Sequence, residues 1–273
     1  MIFFVNLNMV VGVLIVKSFF HLNVLRPFFI NTKETLNSFI FLVIIIQSLH
    51  AQPGIDSHGA IVRSDTSAKT IYLCFTGHDY NEGFGHVRQV LEKQEVKASF
   101  FLTGDFVRNN RALVKSLAKE GHYVGAHSDK HLLYCDWSRR DSLLHPPDTI
   151  KADIARNLQE LHVMGIRPDY FMPPYEWYNQ KVVEIAHELN QQTVNFSPGT
   201  RSNADYTTPD LPNYLSSQAI LESIYTYEKQ HGMNGFHLLI HPGTSPARSD
   251  KLYLHLEEII GYLKGKGYRF GRF

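Results

Sequence analysis

The sequence predicts an α/β protein whose parallel sheet is rolled into a closed or distorted (β/α) barrel. Short, continuously apolar, β-rich segments alternate with amphipathic helical segments about seven times. Strands without polar alternation are typical of a parallel sheet that helices cover on the outside. Seven or eight such units within roughly 200 residues indicate a barrel. The chain shows no solenoid repeat and no glycine-rich phosphate loop.

Seven segments are predicted to be strands because each is short, apolar and rich in β-branched or aromatic residues. In chain order they are residues 70–75, 97–103, 122–126, 169–173, 192–196, 236–240 and 268–273.

Helices are predicted between these strands where apolar residues recur at i, i+3, i+4 and i+7. The helix after the second strand stops at Gly121, a typical C-terminal signal. The helical stripes cover 84–94, 111–121, 150–161, 182–189, 220–227 and 252–263, and we interpret them as core.

The N-terminal part of the chain has a different composition. Residues 1–51 are interpreted as a signal peptide or N-terminal hydrophobic segment, because the apolar core that ends near Gln52 is short for a membrane span. An uncleaved membrane anchor is the alternative. Residues 52–68 are polar and predicted to be a linker, and residues 69–273 form the barrel. We therefore expect an exported protein, periplasmic or secreted, with membrane contact only through the N-terminal segment.

Charge and cysteine content exclude some classes of function. The 273 residues carry a net charge of +1, without the basic excess that nucleic-acid binding requires. Cys74 and Cys135 have no zinc-finger spacing and are expected to be buried thiols.

Titratable side chains follow the predicted strands where the strands end. His78 and Asp79 follow the first strand, His127 and His131 the third, Glu176 the fourth, Asp205 the fifth and His241 the sixth. Active sites of parallel barrels lie at this edge. If the loop turns helically, His127 and His131 share a face and supply half of a divalent-metal site; an isolated pair of this kind is more often two surface histidines.

Four segments together resemble the polysaccharide deacetylases with the NodB-homology domain, carbohydrate esterase family four. They are "VKASFFLTG", "HSDKH", "FMPPYEW" and "LLIHPG", in the family's order and spacing, and the resemblance runs from about Lys69 to Phe273. It implies a distorted (β/α)7 barrel of the NodB-homology type. It also implies a divalent ion, usually Zn²⁺, with His127 and His131 as ligands and His241 as the catalytic acid.

Two motifs depart from the family's pattern. The aspartate pair that supplies the base and the metal carboxylate falls on Thr76 and Gly77, and Met172 stands where the family has arginine. We expect Asp79 to complete the metal triad, with His78 nearby. The catalytic base is then His78 or Glu176, whose aromatic neighbours would raise its pKa.

Asp205 and the aromatic residues after the fourth strand each have two interpretations. Asp205 either orients His241 or forms a turn. Tyr175, Trp177 and Tyr178 either stack on sugar rings or form a packed lid. The predicted function is a metal-dependent hydrolase of carbon–nitrogen bonds that removes acetyl groups, N-acetyl rather than O-acetyl, from an acetylated glycan. An inactive carbohydrate-binding barrel and an amidase acting on a small non-sugar substrate are the alternatives.

Overall fold

A computed structural model describes residues 53–273, and the segment predicted over residues 1–51 lies outside the described residues. The strands of the described part are β1 (Gly54–Ile55), β2 (Ile61–Arg63), β3 (Thr70–Gly77), β4 (Ser99–Leu102), β5 (Tyr123–Ala126), β6 (Tyr170–Phe171), β7 (Gln192–Thr193), β8 (His237–Ile240) and β9 (Arg269–Gly271). The helices are α1 (Phe84–Lys93), α2 (Gly104–Asn109), α3 (Arg111–Lys119), α4 (Pro147–Val163), α5 (Gln180–Glu188), α6 (Ser217–His231) and α7 (Leu256–Gly265).

β3 is the central strand of a curled, parallel sheet with the order β7-β6-β5-β4-β3-β8. One edge of β3 pairs with β8, and the other pairs with β9 along its first half and with β4 along its second half. The predicted α/β distorted barrel is confirmed, and each of the seven segments predicted to form a strand contains one, with β3 running two residues beyond its predicted end. The six-residue helix α2 was not predicted, because it is too short to show a helical repeat.

The segment predicted to be a linker is part of the folded domain from residue 53 onward. β1 and β2 pair as an antiparallel hairpin, and β2 bridges the open side of the sheet between Val194 and Phe236. The backbone N–H of Asn195 donates to the carbonyl of Ile61 at 2.9 Å. The linker prediction was wrong here because strands of two and three residues are too short to show a strand pattern.

Side chains of β3 alternate between the two faces of the sheet, as the pleat requires. Ile71, Leu73 and Phe75 pack in the large core under the helices, whereas Cys74 belongs to a small cluster inside the barrel. Thr76, two residues further on, therefore reaches the barrel interior at the C-terminal end of the strand. The same alternation brings side chains from β5 and β8 to that end.

Within residues 53–273, no helix is both long and apolar enough to cross a membrane.

Candidate active site

A pocket of about 390 Å³ lies at the C-terminal ends of β3, β5, β6 and β8. Its titratable lining consists of His78, Asp79, His127, His131, Glu176 and His241. These residues are far apart in the chain, and the parallel sheet brings their strand ends to one edge.

His127 and His131 face each other across the floor of this pocket. His127 Nδ1 lies 2.7 Å from the carbonyl oxygen of Met172, which leaves Nε2 directed at His131, and the two Nε2 atoms are 3.2 Å apart. The loop does not turn helically, since Ser128 and His131 have φ values of 70° and 54°. The ring nitrogens nevertheless converge.

Helices α4 and α2 hold the HSDKH loop (residues 127–131) in this conformation. The backbone N–H of His127 donates to Asn157 Oδ1 at 2.8 Å, and that of Lys130 donates to Asp153 Oδ1 at 3.0 Å. Arg108 Nη1 donates to Asp129 Oδ1 at 2.7 Å. The loop is thus fixed on both sides, and the two imidazoles have little freedom to separate.

The electrostatics of the pair suit metal binding. Burial lowers the pKa of His127 to about 3, and burial together with His127 and His78 holds the pKa of His131 well below its usual range. Both rings are neutral at pH 7, so each nitrogen that faces the pocket has a lone pair available. Two nitrogens on one tetrahedral Zn²⁺ at about 2.0–2.1 Å would lie roughly 3.3 Å apart, close to the separation seen here.

No third side chain of the described residues converges with His127 and His131 to form a metal site. Across residues 53–273, no three His, Cys, Asp or Glu side chains converge as a metal-binding group. The His78 ring stacks on His131 with centroids 4.3 Å apart and planes 19° apart. Lone pairs of imidazole lie in the ring plane, so nearly parallel rings do not point at one ion. His78 would have to rotate to join the pair.

Asp79, the predicted metal carboxylate, lies at the edge of the pocket. Its side chain is 67% exposed, and its Oδ1 is 3.2 Å from His78 Nε2. The structure thus pairs Asp79 with His78, while the two convergent imidazoles are those of His127 and His131.

The two positions of the missing aspartates have different surroundings. Thr76 reaches the pocket, whereas a Cβ at Gly77 would lie 2.8 Å from Leu102 Cδ2 and 3.0 Å from Phe84 Cζ. Position 77 therefore faces the apolar layer under the helices. A side chain at position 77 would need these apolar neighbours to shift.

His241 and Asp205 form a hydrogen-bonded couple on the opposite wall. Asp205 is 1% exposed, and its Oδ1 lies 2.5 Å from His241 Nδ1. Burial alone would lower the pKa of His241, but the carboxylates of Asp205 and Glu176 more than offset this, so the pKa is raised above its usual value. Of the two interpretations of Asp205, orientation of His241 matches this geometry.

Glu176 contributes a carboxylate to the pocket lining that could accept a proton. It ends a short 3-10 turn, Pro174–Glu176, and its φ of 53° lies in the left-handed region. Burial raises its pKa to about 7, with His241 lowering it and Asp205 raising it further. A carboxylate that ionises near neutral pH is suited to act as a general base.

The three predicted sugar-contacting aromatics have different environments. Tyr175 is 45% exposed and packs on His131 with ring centroids 4.4 Å apart. Trp177 is not part of the pocket lining; it packs against Trp137 and under the guanidinium of Arg140. Tyr178 is buried and donates to Asp56 Oδ2 at 2.8 Å, so its predicted role as a sugar contact was wrong. Its hydroxyl anchors the N-terminal hairpin to the barrel.

Three further aromatic side chains line the pocket, and the sequence did not identify them: Tyr80, Trp137 and Tyr206. Trp137 is 57% exposed and meets Tyr175 edge-on, and Tyr206 is 49% exposed with its ring 5.5 Å from that of His241. Tyr206 directly follows Asp205, which is the one signal that could have identified it. Trp137 lies in the long connection after β5, where no pattern marks it.

The comparison with protein families identifies the family of this fold. The family model described as Polysaccharide deacetylase matches residues 63–194. The chain belongs to the polysaccharide deacetylase family. This family member is 32% identical over 199 residues to an uncharacterised protein of Bacillus subtilis, covering 70% of this chain and 52% of that protein.

Several relatives are named as peptidoglycan deacetylases. The chain is 31% identical over 146 residues to the peptidoglycan-N-acetylmuramic acid deacetylase of Bacillus subtilis, covering 52% of each protein. It therefore spans about half the length of these curated relatives. A family-four carbohydrate esterase pseudoenzyme from Bacillus anthracis has the same fold, with a TM-score of 0.63, 23% identity, and coverage of 80% of this chain and 68% of that one.

Proposed function

We propose that this polysaccharide deacetylase is an exported, divalent-metal-dependent enzyme that hydrolyses acetyl groups, N-acetyl rather than O-acetyl, on a glycan. One observation carries the proposal. A single pocket holds the convergent His127–His131 pair, the Glu176 carboxylate and the His241–Asp205 couple. These are the parts that metal-assisted acyl hydrolysis needs: a metal site, a base and an acid.

Zn²⁺ is the proposed ion. His127 and His131 would hold it, with a third ligand from the segment after β3, where Asp79 is the candidate from the sequence. The bound ion would polarise the acetyl carbonyl and lower the pKa of a water molecule toward neutrality.

The protein's own residues supply the proton transfers. Glu176, with a pKa of about 7, takes a proton from the attacking water as the new carbon–oxygen bond forms. His241 enters the reaction protonated, because Asp205 and Glu176 raise its pKa, and it gives that proton to the nitrogen of the leaving amine as the carbon–nitrogen bond breaks. The products are acetate and a glycan amine.

A polymeric glycan fits the surroundings of the pocket better than a small amide does. Exposed aromatic rings of Trp137, Tyr175 and Tyr206 stand around the pocket, and such rings pack on the apolar faces of sugars. A second depression of about 620 Å³ shares His78, Asp79 and Tyr80 with the pocket, so the surface continues as a groove. Peptidoglycan is the substrate named for one relative, and we propose a glycan of this kind.

A second candidate, a glycan-binding barrel without catalysis, has one specific observation in its favour. Thr76 and Gly77 occupy the positions where the resemblance implies the base and the metal carboxylate, and neither can serve. Catalysis therefore depends on Glu176 and on a replacement ligand.

Acetate release decides between the two candidates. The full-length protein with Zn²⁺ is incubated with N-acetylated peptidoglycan fragments and with O-acetylated xylan. We expect acetate from the first, lost with a chelator and restored by Zn²⁺, and lost in His241→Gln. Glycan binding without acetate release from any substrate, in a zinc-loaded protein, would support the binding barrel.

A further inference from the structure

His78 combines two features that no other pocket histidine has. Its Nδ1 is buried, and no hydrogen-bond partner for it exists among the described residues 53–273. Its Nε2 lies 3.2 Å from the carboxylate of Asp79. A buried ring nitrogen without a partner is unfavourable, so this atom is expected to have a ligand in the working protein.

The contact with Asp79 decides which nitrogen of His78 carries the proton. The carboxylate beside Nε2 favours the tautomer that carries its hydrogen on that nitrogen, which leaves the lone pair on Nδ1. A histidine that binds a metal through one nitrogen and donates from the other to a carboxylate is the usual arrangement in metal sites. The nitrogen that remains available on His78 is the buried one.

We propose that His78, His127 and His131 hold the ion, and that Asp79 is a positioning residue that orients the His78 ring. The inference rests on the proposed function and replaces Asp79 as the third ligand. Asp79 could bind the ion only by leaving His78 and turning inward from its 67% exposed position, and His78 Nδ1 would then stay unpaired. His78 needs only a rotation of its ring out of the stack on His131.

Three neutral ligands would give the site a different charge from one that includes a carboxylate. A site with one carboxylate cancels one of the two positive charges of a divalent ion, whereas three imidazoles cancel none. Imidazole also selects Zn²⁺, Co²⁺ or Ni²⁺ over the oxygen-preferring Mg²⁺ and Ca²⁺. We therefore expect this chain to bind Zn²⁺ and Co²⁺ tightly and Mg²⁺ weakly.

X-ray absorption at the zinc edge of the full-length protein tests the ligand set directly. Imidazole rings give a multiple-scattering signature that carboxylates lack, and we expect three imidazoles in the wild type and two in His78→Ala. Two imidazoles and a carboxylate in the wild type would overturn the inference, while leaving the proposed metal-dependent function intact. A wild-type protein that takes up no Zn²⁺ would instead overturn the metal-dependent function itself, and the inference with it.

Zinc affinity measured against a chromophoric chelator gives a second readout. His78→Ala and His131→Ala should each lose at least about 100-fold in affinity, whereas Asp79→Asn should lose about 10- to 100-fold because it no longer orients the His78 ring. His162→Ala, which removes an exposed imidazole at the end of α4, is the matched control and should bind as the wild type. Wild-type affinity in His78→Ala with a complete loss in Asp79→Asn would assign the ion to Asp79.

Discussion

The carboxylate of Asp205 contacts His241 at two points: Oδ1 lies 2.5 Å from the ring Nδ1, and Oδ2 accepts the backbone N–H at 2.8 Å. The two contacts fix both the rotation and the tautomer of the ring. The N–H at Nδ1 donates a hydrogen bond to Asp205, and Nε2 remains available to the substrate. The carboxylate also favours the protonated ring, which is the form that a general acid needs.

Asp205→Asn should therefore slow acetate release by about 100-fold, since a general acid contributes about 10²–10⁴ to the rate. Loss of the negative charge lowers the pKa of His241, so the alkaline decline of the pH–rate profile should move to lower pH. The full profile of kcat/KM from pH 5 to 10 measures both effects.

Asp210→Asn is the matched control, because Asp210 is an exposed aspartate in the same connection. It should leave the profile unchanged. An Asp205→Asn variant with reduced rate but an unshifted alkaline limb would mean that Asp205 supports the fold and does not tune His241.

Glu176 should set the acid limb of the same profile. Burial raises its pKa to about 7, and a base works only when ionised, so activity rises with pH through that value. From the ionised fraction alone, the rate at pH 6 should be about tenfold lower than at pH 8. Glu176→Gln should lower the rate by about 10²–10⁴ and abolish this limb.

The exposed Glu184 on α5 offers a control for this substitution. Glu184→Gln should behave as the wild type in rate, profile and zinc content. If Glu176→Gln keeps the acid limb near pH 7, the base is another group, and His78 is the next candidate from the sequence.

Sequence patterns predicted the barrel well because its strands are buried on both faces. A strand such as β4, whose four residues are all buried, must be apolar throughout, and that pattern is visible without a structure. The hairpin of β1 and β2 escaped prediction for the opposite reason. Its two strands have two and three residues, and none of them is fully buried.

Which residues gather at the pocket was predictable, but their pairing was not. The positions of His127, His131, Glu176 and His241 after strand ends place them at one edge of the sheet. The contact of Asp79 with His78 depends on the loop after β3, which carries no periodic pattern. The burial of Tyr178, beside the exposed Tyr175, likewise depends on the left-handed backbone of Tyr175 and Glu176.

Trp137 should contribute to glycan binding and not to the chemical step. It is 57% exposed, lines the pocket, and has the rings of Tyr175 and Trp177 as its aromatic neighbours. Trp137→Ala should raise KM for oligosaccharides about tenfold, a loss of about 1.4 kcal/mol, with kcat nearly unchanged.

Leu254→Ala removes an equally exposed apolar side chain on another surface and serves as the control. Initial rates over a range of oligosaccharide lengths separate KM from kcat. A decrease in kcat with constant KM would mean that Trp137 positions the reacting acetyl group instead of binding the polymer.

His237 should make the stability of the fold sensitive to acid. It is fully buried inside the barrel, with Nδ1 2.7 Å from the carbonyl of Asn195 and Nε2 2.8 Å from Ser64 Oγ. Burial lowers its pKa to about 4, against about 6.5 in an unfolded chain. Between these values the unfolded chain binds a proton that the folded chain does not. Stability is therefore complete above pH 6.5 and decreases as the pH falls toward 4.

The size of this effect follows from the difference in pKa. At about 1.4 kcal/mol per unit, His237 alone accounts for a loss of up to about 3 kcal/mol in unfolding free energy across that interval. Urea unfolding of the metal-free protein at pH 7.5, 6 and 5 measures the slope. His237→Gln should be less stable at pH 7.5 but lose less on acidification, while His187→Gln, an exposed histidine on α5, should follow the wild type. Equal slopes in His237→Gln and the wild type would assign the acid sensitivity to other buried groups, such as His122, whose pKa burial lowers to about 4.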